Sequence, residues 1–269
     1  MDEELKRLLA RCDEQLQRAE RGIFSATEFL TPAEAYHVLQ HCRRQGAGNR
    51  VLFWGGAENT ERTVFCALPD YYLPYEELPA EEARAYMQSA AEAELTATVA
   101  PLLVTGSTYR TLTHRDYLGS VLALGLKRSV VGDIVLLEDS RAVLFVLAHM
   151  QEFLCENLTR IGADKATVQP YVLPEDFCVE RHYESVTDSI ASPRLDCVVG
   201  GLLNLSRERA QEAIAAGRVE LNYEPALKSD HTVHDGDLLS VRGYGKFVVD
   251  SVSEQNRKGR IRLLARRYV

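Results

Sequence analysis

Residues 194–246 constrain the fold of this chain more than any other stretch. From residue 195 to residue 203, apolar side chains recur at i, i+3, i+4, i+7 and i+8, which is the spacing of one helix face. Ser206 follows as a good N-cap, because its hydroxyl can accept from the free N–H groups of the next turn, and Gly217 ends a second short helix. Alternating apolar residues then predict strands at 218–223 and 238–241. The stretch therefore predicts a helical hairpin that leads into a small sheet.

Basic side chains gather along the exposed edge of this predicted hairpin and sheet. They are Arg194, Arg207, Arg209, Arg218, Arg242 and Lys246. A helix N-terminus presents free N–H groups and a positive partial charge, so it favours a phosphate, and Ser206 and Arg207 sit at such an end. Arginine adds a planar fork that matches phosphate oxygens. These residues predict contact with RNA phosphates, whereas the simpler alternative is a solvated helical pair with ordinary surface arginines.

The order of the short motifs in this stretch is more specific than any one of them. Arg-Leu-Asp at 194–196 is followed by Ser-Arg at 206–207, Gly217, Asn222, Gly-Asp at 236–237 and Gly-Tyr-Gly-Lys at 243–246. This order resembles the S-four-type (alpha-L) RNA-binding domain over about the last quarter of the chain. In that family the helix pair lies against structured RNA. The resemblance implies RNA contacts by Arg194, Arg207, Arg209, Lys228, Arg242 and Lys246.

The distribution of charge favours a nucleic-acid-binding C-terminal part despite an acidic total. The whole chain of 269 residues carries a net charge of −8. From residue 194 to residue 269 it holds 13 Lys and Arg against 10 Asp and Glu, whereas the preceding residues hold 18 against 29. Nucleic-acid binding depends on a local basic patch rather than on the total. The acidic remainder would repel phosphate from the other faces.

The cysteines and the hydropathy give no sign of a metal, a cofactor or a membrane span. The six cysteines are scattered without a CxxC pair, whereas a zinc site needs clustered ligands, and no GxGxxG loop follows a strand. No apolar run approaches the roughly 20 residues of a membrane span, and the start of the chain does not resemble a signal peptide. We therefore expect no metal, no cofactor and no membrane contact, in a cytoplasmic protein with reduced thiols.

The N-terminal third predicts one long helix followed by a small α/β module, together residues 1–80. Helices are expected at 2–21 and from the Thr31-Pro32 cap to about residue 45, and strands at 51–54 and 63–68. Three tyrosines follow in a loop, where they can pack together or stack on bases. They are Tyr71, Tyr72 and Tyr75. Residues 80–93 are predicted to form a bridging helix.

Residues 81–185 predict a central module with a ferredoxin-like order. The expected elements are a strand at 95–104, a helix at 114–124, strands at 134–137 and 143–147, a helix at 150–161 and a strand at 166–173. This βαββαβ order is that of the ferredoxin-like plait, which several RNA-binding modules use. Fold alone does not establish function. A polar, turn-forming linker at 186–193 is expected to open the C-terminal domain, residues 186–269.

Two motifs in the central module carry a second resemblance. Residues 111–119 read Thr-Leu-Thr-His-Arg-Asp-Tyr-Leu-Gly, and residues 125–133 read Gly-Leu-Lys-Arg-Ser-Val-Val-Gly-Asp. Joined to a C-terminal S-four-type domain at this chain length, they resemble the YlmH family of bacteria, most firmly over 109–138 and 194–248. The resemblance implies that the central module binds RNA and that the protein works at the ribosome. It points to the large ribosomal subunit with a bound tRNA, in quality control of stalled translation.

The central motifs allow three interpretations. In a catalytic one, His114, Asp116 and Lys127 form an acid–base set, although a general base needs hydrogen-bond reach and a tuned pKa that a sequence does not show. In a structural one, Asp116 lies in a first helical turn and Lys127 and Arg128 follow a helix end, where the helix dipole favours them. The third, which we favour, is RNA contact by Arg115, Lys127 and Arg128.

Together these observations predict an α+β, non-catalytic RNA-binding protein that acts as a monomer on rRNA or tRNA. No catalytic residue is assigned. The alternatives are an RNA-modifying enzyme that uses the central motif and a protein-interaction factor in cell division, a process also associated with the YlmH family. Arg207 is expected to be a surface residue whose removal changes the free energy of unfolding by less than about 0.5 kcal/mol.

Overall fold

The computed structural model describes residues 3–106, 111–252 and 259–269. Residues 109 and 110, at the start of the stretch that carries the YlmH resemblance, lie outside the described residues. The chain divides into two compact units, one up to Val179 and one from Glu180 onward, called here the N-terminal unit and the C-terminal unit. Each unit combines helices and antiparallel strands, which confirms the mixed α and β class.

The N-terminal unit begins with two helices and a three-stranded antiparallel sheet. These elements are α1 (Glu3–Glu20), β1 (Ser25–Leu30), α2 (Pro32–Arg44), β2 (Val51–Trp54) and β3 (Thr63–Ala67). The strand order is β1-β3-β2. The predicted cap of α2 is confirmed, since the Thr31 hydroxyl accepts from the Glu34 backbone N–H and the Glu34 carboxylate accepts from the Thr31 N–H. Strand β1 was not predicted from the sequence.

The second part of this unit is built around a four-stranded sheet. Its elements are α3 (Ala80–Ala90), α4 (Glu92–Thr98), β4 (Val99–Thr105), α5 (His114–Leu122), β5 (Val131–Leu136), β6 (Arg141–Leu147), α6 (Gln151–Asn157), β7 (Arg160–Ile161), β8 (Asp164–Lys165) and β9 (Thr167–Pro170). The sheet has the order β5-β6-β4-β9 with antiparallel neighbours. Strands β4, β5, β6 and β9, with α5 and α6 between them, follow a βαββαβ order, and β7 and β8 form a separate hairpin.

At two places in this part the structure has a different kind of element from the one predicted. The strand expected from residue 95 begins only at Val99, because residues 92–98 form α4 with two glutamates in its first turn, where the helix dipole favours them. The helix expected to reach residue 161 ends at Asn157, whose side-chain amide donates to the Phe153 carbonyl at 2.8 Å. The last two of the predicted helical residues, Arg160 and Ile161, form strand β7 of the hairpin.

The three-stranded and the four-stranded sheet both contribute to one buried core of the N-terminal unit. Phe29 and Leu52 from the first sheet belong to the same apolar cluster as Leu102 and Phe145 from the second. Gly132 allows the two to approach, because a Cβ added there would lie 2.7 Å from the Phe29 ring. The predicted modules 1–80 and 81–185 are thus packed on a common core, and their definition as separate domains stays a prediction.

The C-terminal unit is a helical hairpin on a six-stranded antiparallel sheet. Its elements are β10 (Tyr183–Ile190), α7 (Leu195–Leu203), α8 (Arg207–Ala215), β11 (Val219–Leu221), β12 (Glu224–Pro225), β13 (Leu238–Val241), β14 (Gly245–Ser251) and β15 (Ile261–Tyr268). The strand order is β10-β15-β14-β13-β11-β12. Both predicted helices are confirmed, and they share a separate apolar core with the sheet. Gly201 lets α7 lie close, since a Cβ there would meet Ile190 and Leu263 at 2.9 and 3.1 Å.

The predicted linker at 186–193 is wrong. Residues 183–190 form β10, which pairs with β15 along its whole length. The strand lies at the edge of the sheet and most of its residues are exposed or half-buried. A strand with little of its surface in the core can be polar, so its composition resembles that of a linker.

Candidate nucleic-acid interface

A buried carboxylate organises the helical hairpin of the C-terminal unit. Asp196, in the first turn of α7, is 0% exposed. Arg194 reaches both of its carboxylate oxygens, through Nε at 3.2 Å and Nη2 at 3.3 Å. Arg207 Nε donates at 3.0 Å and Gln211 Nε2 at 2.8 Å. These four residues, here the Asp196 cluster, join the start of α7 to α8.

The cluster keeps Asp196 ionised. Burial alone would raise the pKa of this carboxyl, but hydrogen bonds from Arg194, Gln211 and Arg207 outweigh burial and hold the pKa below its usual range. The same bond to Asp196 raises the pKa of Arg194. Two guanidinium groups therefore face one carboxylate, and the cluster carries net positive charge.

Arg207 has a structural role that the sequence did not reveal. Its side chain is 62% exposed, so most of it reaches solvent, yet it pairs with a fully buried aspartate. Removal of the Arg207 side chain leaves the desolvated Asp196 carboxylate with one hydrogen bond fewer, which lowers the free energy of unfolding. The expectation that Arg207 can be removed without loss of stability is therefore revised.

The remaining predicted residues of this unit are all exposed and lie at two places. They are Ser206, Arg209, Arg218, Lys228, Arg242 and Lys246. The Ser206 hydroxyl caps α8 by accepting from the Arg209 N–H at 3.4 Å, and the loop that follows Lys228 lies over the start of α7, where the Ser229 carbonyl accepts from the Asp196 N–H.

At the second place, the Arg218 carbonyl accepts from the Arg242 N–H at 2.9 Å, which sets these two residues side by side. Lys246, on β14, lies opposite Ser240 of β13. The structure thus brings Arg194 together with Arg207 and Arg218 together with Arg242, with exposed cations near both pairs.

The arginines of β15 were not assigned from the sequence. Arg266 pairs with Asp250 at 2.8 Å and lies 4.8 Å from the centre of the Tyr183 ring, and Arg267 pairs with Glu184 at 3.6 Å. Their carboxylate partners come from neighbouring strands. The excess of basic residues after residue 242 was a sign of these arginines in the sequence. Only the sheet register shows that carboxylates of the neighbouring strands partly balance their charge.

In the N-terminal unit, Arg128 is turned toward the protein. It is half-buried, and its Nη1 donates to the carbonyls of Val131 and, at 3.1 Å, Gly132. Burial, and next the nearby Arg62, lower the pKa of Arg128 to about 10. Through these hydrogen bonds, Arg128 stabilises the loop before β5. Its predicted RNA contact stays untested, and these bonds favour the structural interpretation of Arg128.

Arg62, which was not assigned from the sequence, also stabilises the start of β5. Its Nε donates to the Val131 carbonyl at 3.1 Å and its Nη2 to the Phe29 carbonyl at 3.2 Å. The Asp133 carboxylate accepts from the backbone N–H groups of Glu61 at 2.6 Å and Arg62 at 3.1 Å. Burial lowers the pKa of Arg62. We call Arg62, Arg128 and Asp133 the Arg62 cluster.

The candidate acid–base residues lie in α5 and in the loop before β5. Asp116 caps α5, because its carboxylate accepts from the Thr113 N–H at 2.8 Å and from the Thr113 hydroxyl at 2.7 Å. His114 and Lys127 are exposed, and so is Arg115. Within the described residues, no group of three or more His, Cys, Asp or Glu is placed to hold a metal ion. The capping bond accounts for Asp116 as a structural residue.

Comparison with known proteins identifies the central segment. Residues 103–175 match the family described as "Putative RNA-binding domain in YlmH". Residues 103–175 are called the YlmH domain below, after this similarity. The resemblance predicted from the central motifs is thereby confirmed, whereas the S-four-type assignment of the last quarter stays a prediction.

Two individual proteins are also similar. The ribosome-associated protein quality control protein P2 of Bacillus subtilis (strain 168) is 27% identical over 240 residues, which cover 88% of this chain and 84% of that protein. The solved structure of the cell division protein ylmH from Streptococcus pneumoniae is 18% identical with a TM-score of 0.44, and the match covers 66% of this chain and 97% of that one. Among the residues that the structure describes, no helix is both long and apolar enough to cross a membrane.

The YlmH domain holds three of the predicted RNA-binding residues and two elements not foreseen. It runs from within β4 to beyond β9 and therefore includes Arg115, Lys127 and Arg128. It also contains the β7–β8 hairpin, whose residues Arg160 and Lys165 were not assigned. Of these five cations, four are exposed and Arg128 is half-buried.

Proposed function

We propose that this protein is a non-catalytic RNA-binding protein that docks on structured RNA of the ribosome, and that its C-terminal unit is an S-four-type RNA-binding domain. The observation that carries the proposal is the Asp196 cluster, which fixes a helical hairpin and leaves the cationic side chains of Arg194 and Arg207 partly in solvent. Exposed Arg209, Arg218 and Arg242 add further positive charge to the same unit. Such a patch fits phosphate oxygens through arginine forks.

The YlmH domain and the ribosome-associated relative support the ribosome as the place of action. On this basis we propose rRNA of the large subunit, with a bound tRNA, as the partner, and rescue of stalled translation as the process. The protein acts as a monomer in the cytoplasm in this proposal. Recognition by phosphate contacts reads the shape of folded RNA more than its sequence.

Sedimentation with separated ribosomal subunits tests the partner. The full-length protein should pellet with large subunits and stay in the supernatant with small subunits. The double variant Arg209→Ala/Arg242→Ala should pellet far less, because it removes two exposed cations from the proposed interface. Lys6→Ala, which removes an exposed cation from α1, is the matched control and should behave as the parent. A parent that pellets with neither subunit, or a double variant that pellets as well as the parent, would refute the proposal.

Mass spectrometry of the RNA tests the non-catalytic part. The use of Asp116 as a helix cap supports that part of the proposal. Ribosomal RNA and tRNA incubated with the protein and common cofactors should keep all nucleotide masses. A mass shift that His114→Ala or Asp116→Ala abolishes would show that the protein is an enzyme.

A further inference from the structure

An open groove lies at the end of β4 beside the β7–β8 hairpin. Its volume is about 580 Å³, and its polar lining consists of Thr105, Thr159, Arg160, Lys165 and Thr167, with Gly106 and Ala166 between them. None of these lining residues is acidic. All of them lie within the YlmH domain. We call this feature the hairpin groove.

The two cations of the hairpin groove are held next to each other by strand register. Arg160 on β7 is the direct partner of Lys165 on β8, and side chains directly opposite on paired strands have Cβ atoms roughly 5 Å apart. Like charges at such positions destabilise the pairing. Both side chains are exposed, and an anion bound between them would offset their repulsion.

The hairpin is also firmly supported. Ile161 is fully buried, and the Gly162 N–H at the turn donates to the Ser120 hydroxyl of α5 at 2.8 Å. The Ala166 N–H donates to the Thr159 carbonyl at 2.9 Å, which closes the base of the hairpin. The Arg160 guanidinium donates to the Ala163 carbonyl. The backbone that carries the two cations is therefore positioned before any ligand arrives.

Threonine hydroxyls complete the groove. Thr105 and Thr167 are direct partners across β4 and β9, so their side chains share one face of the sheet. A hydroxyl can donate to a phosphate oxygen or exchange hydrogen bonds with a ribose hydroxyl. Arginine supplies a fork and lysine a point charge, which together suit a phosphodiester.

We propose that the hairpin groove binds a backbone phosphate of RNA, with Arg160 and Lys165 as its ligands and the threonines as hydroxyl donors. This contact rests on the proposed function and adds to it a second RNA site, in the YlmH domain and away from the Arg62 cluster. A second phosphate contact in the same chain raises affinity through effective concentration when both sites engage one RNA.

The test is the affinity of the full-length protein for deproteinised ribosomal RNA at several salt concentrations. The double variant Arg160→Ala/Lys165→Ala should bind about tenfold more weakly near 0.1 M salt, as expected for charge-assisted bonds. Its slope of log K against log salt should be smaller by about one to two, since fewer counterions are released. Lys165→Glu should bind more weakly than Lys165→Ala, because it reverses the local charge.

Arg84→Ala is the matched control, because Arg84 is an exposed cation of α3 in the same unit. It should bind as the parent. If the groove variants match the parent in affinity and slope while Arg209→Ala/Arg242→Ala loses binding, the hairpin groove is refuted and the proposed function stands. Equal weakening by Arg84→Ala would also refute the groove, since the effect would be one of total charge. A parent that does not bind the RNA would refute both.

Discussion

Each of the two units contains a cluster that includes two arginines and one aspartate, and the charged groups of the two clusters have different surroundings. In the Asp196 cluster the aspartate is buried, and both arginines keep part of their side chains in solvent. In the Arg62 cluster the arginines are half-buried and donate to backbone carbonyls, while Asp133 accepts from backbone N–H groups. Burial lowers the pKa of Arg62 and Arg128, whereas pairing raises the pKa of Arg194.

This difference shows that the number of arginines in a motif does not measure the charge that a partner meets. An arginine that donates to carbonyls stabilises a loop, and its charge is partly desolvated. An arginine that shares a buried aspartate with another arginine is oriented by it and still presents positive charge to solvent. The C-terminal cluster therefore presents the positive charge that the proposed RNA contact requires, whereas the N-terminal cluster links two sheets.

The largest effect is expected for Asp196→Asn. The change removes the negative charge beneath two arginines, which should lower the free energy of unfolding of the C-terminal unit by about 3 kcal/mol. Far-UV circular dichroism during urea unfolding measures it. Trp54, the single tryptophan, lies in the N-terminal unit, so the transition seen by its fluorescence should not move. A change of less than about 1 kcal/mol would contradict the role given to the cluster.

The same variant predicts a pH dependence. The folded pKa of Asp196 is lowered, so its contribution to stability is fully present above the unfolded pKa of about 4. It is lost as the pH falls through the folded value. The difference in unfolding free energy between parent and Asp196→Asn should thus be constant between about pH 5 and pH 7, because this range lies above the unfolded pKa of about 4. The difference should shrink at more acidic pH. A difference that grows on acidification would contradict the assignment.

A somewhat smaller effect is expected for Arg62→Ala in the other cluster. The loss of the bonds to the Val131 and Phe29 carbonyls, with the longer one to Arg128, should lower the free energy of unfolding of the N-terminal unit by about 2 kcal/mol. Trp54 fluorescence reports this transition directly. Arg84→Ala serves as the exposed control and should change stability by less than about 0.5 kcal/mol. If both variants were equally stable, the Arg62 cluster would not brace the unit.

Arg207 and Arg209 sharpen the comparison within the C-terminal unit. Arg207→Ala should cost about 1 kcal/mol, because Asp196 keeps its bonds to Arg194 and Gln211. Arg209→Ala, an exposed residue two positions later, should cost less than about 0.5 kcal/mol. Urea unfolding followed by circular dichroism measures both. Equal losses would show that the bond from Arg207 to Asp196 contributes little.

Local signals in the sequence predicted much of this architecture. The helix face at 195–203 and the caps Thr31 and Ser206 depend on residues within a few positions of each other, and each was found in place. The element order of the YlmH domain followed from similar patterns. The wrong linker prediction, by contrast, concerns a strand whose partner is distant in the sequence. The β10–β15 pairing joins residues about 70 to 85 positions apart, and no periodicity in the sequence of β10 indicates this pairing.

The functional clusters were only partly predictable for the same reason. Arg194 and Arg207 were chosen as cations near a helix start, but the burial of Asp196 depends on how α8 and the loop after Lys228 cover it. The backbone N–H of Arg62 donates to Asp133, which lies 71 positions later in the sequence. Arg160 and Lys165 lie in a stretch predicted in part as helix, so their opposition in a hairpin was not visible.

The most direct test of the account compares Arg209→Ala with Arg128→Ala in binding to the same deproteinised ribosomal RNA. Each variant removes one arginine from a predicted RNA-binding set, and each affinity is measured per folded molecule. We expect Arg209→Ala to bind about fivefold more weakly, with a salt slope reduced by about one, as for a lost phosphate contact. Arg128→Ala should bind as the parent. Loss of affinity in Arg128→Ala with full affinity in Arg209→Ala would contradict the central claim that the exposed cations around the Asp196 cluster bind the RNA.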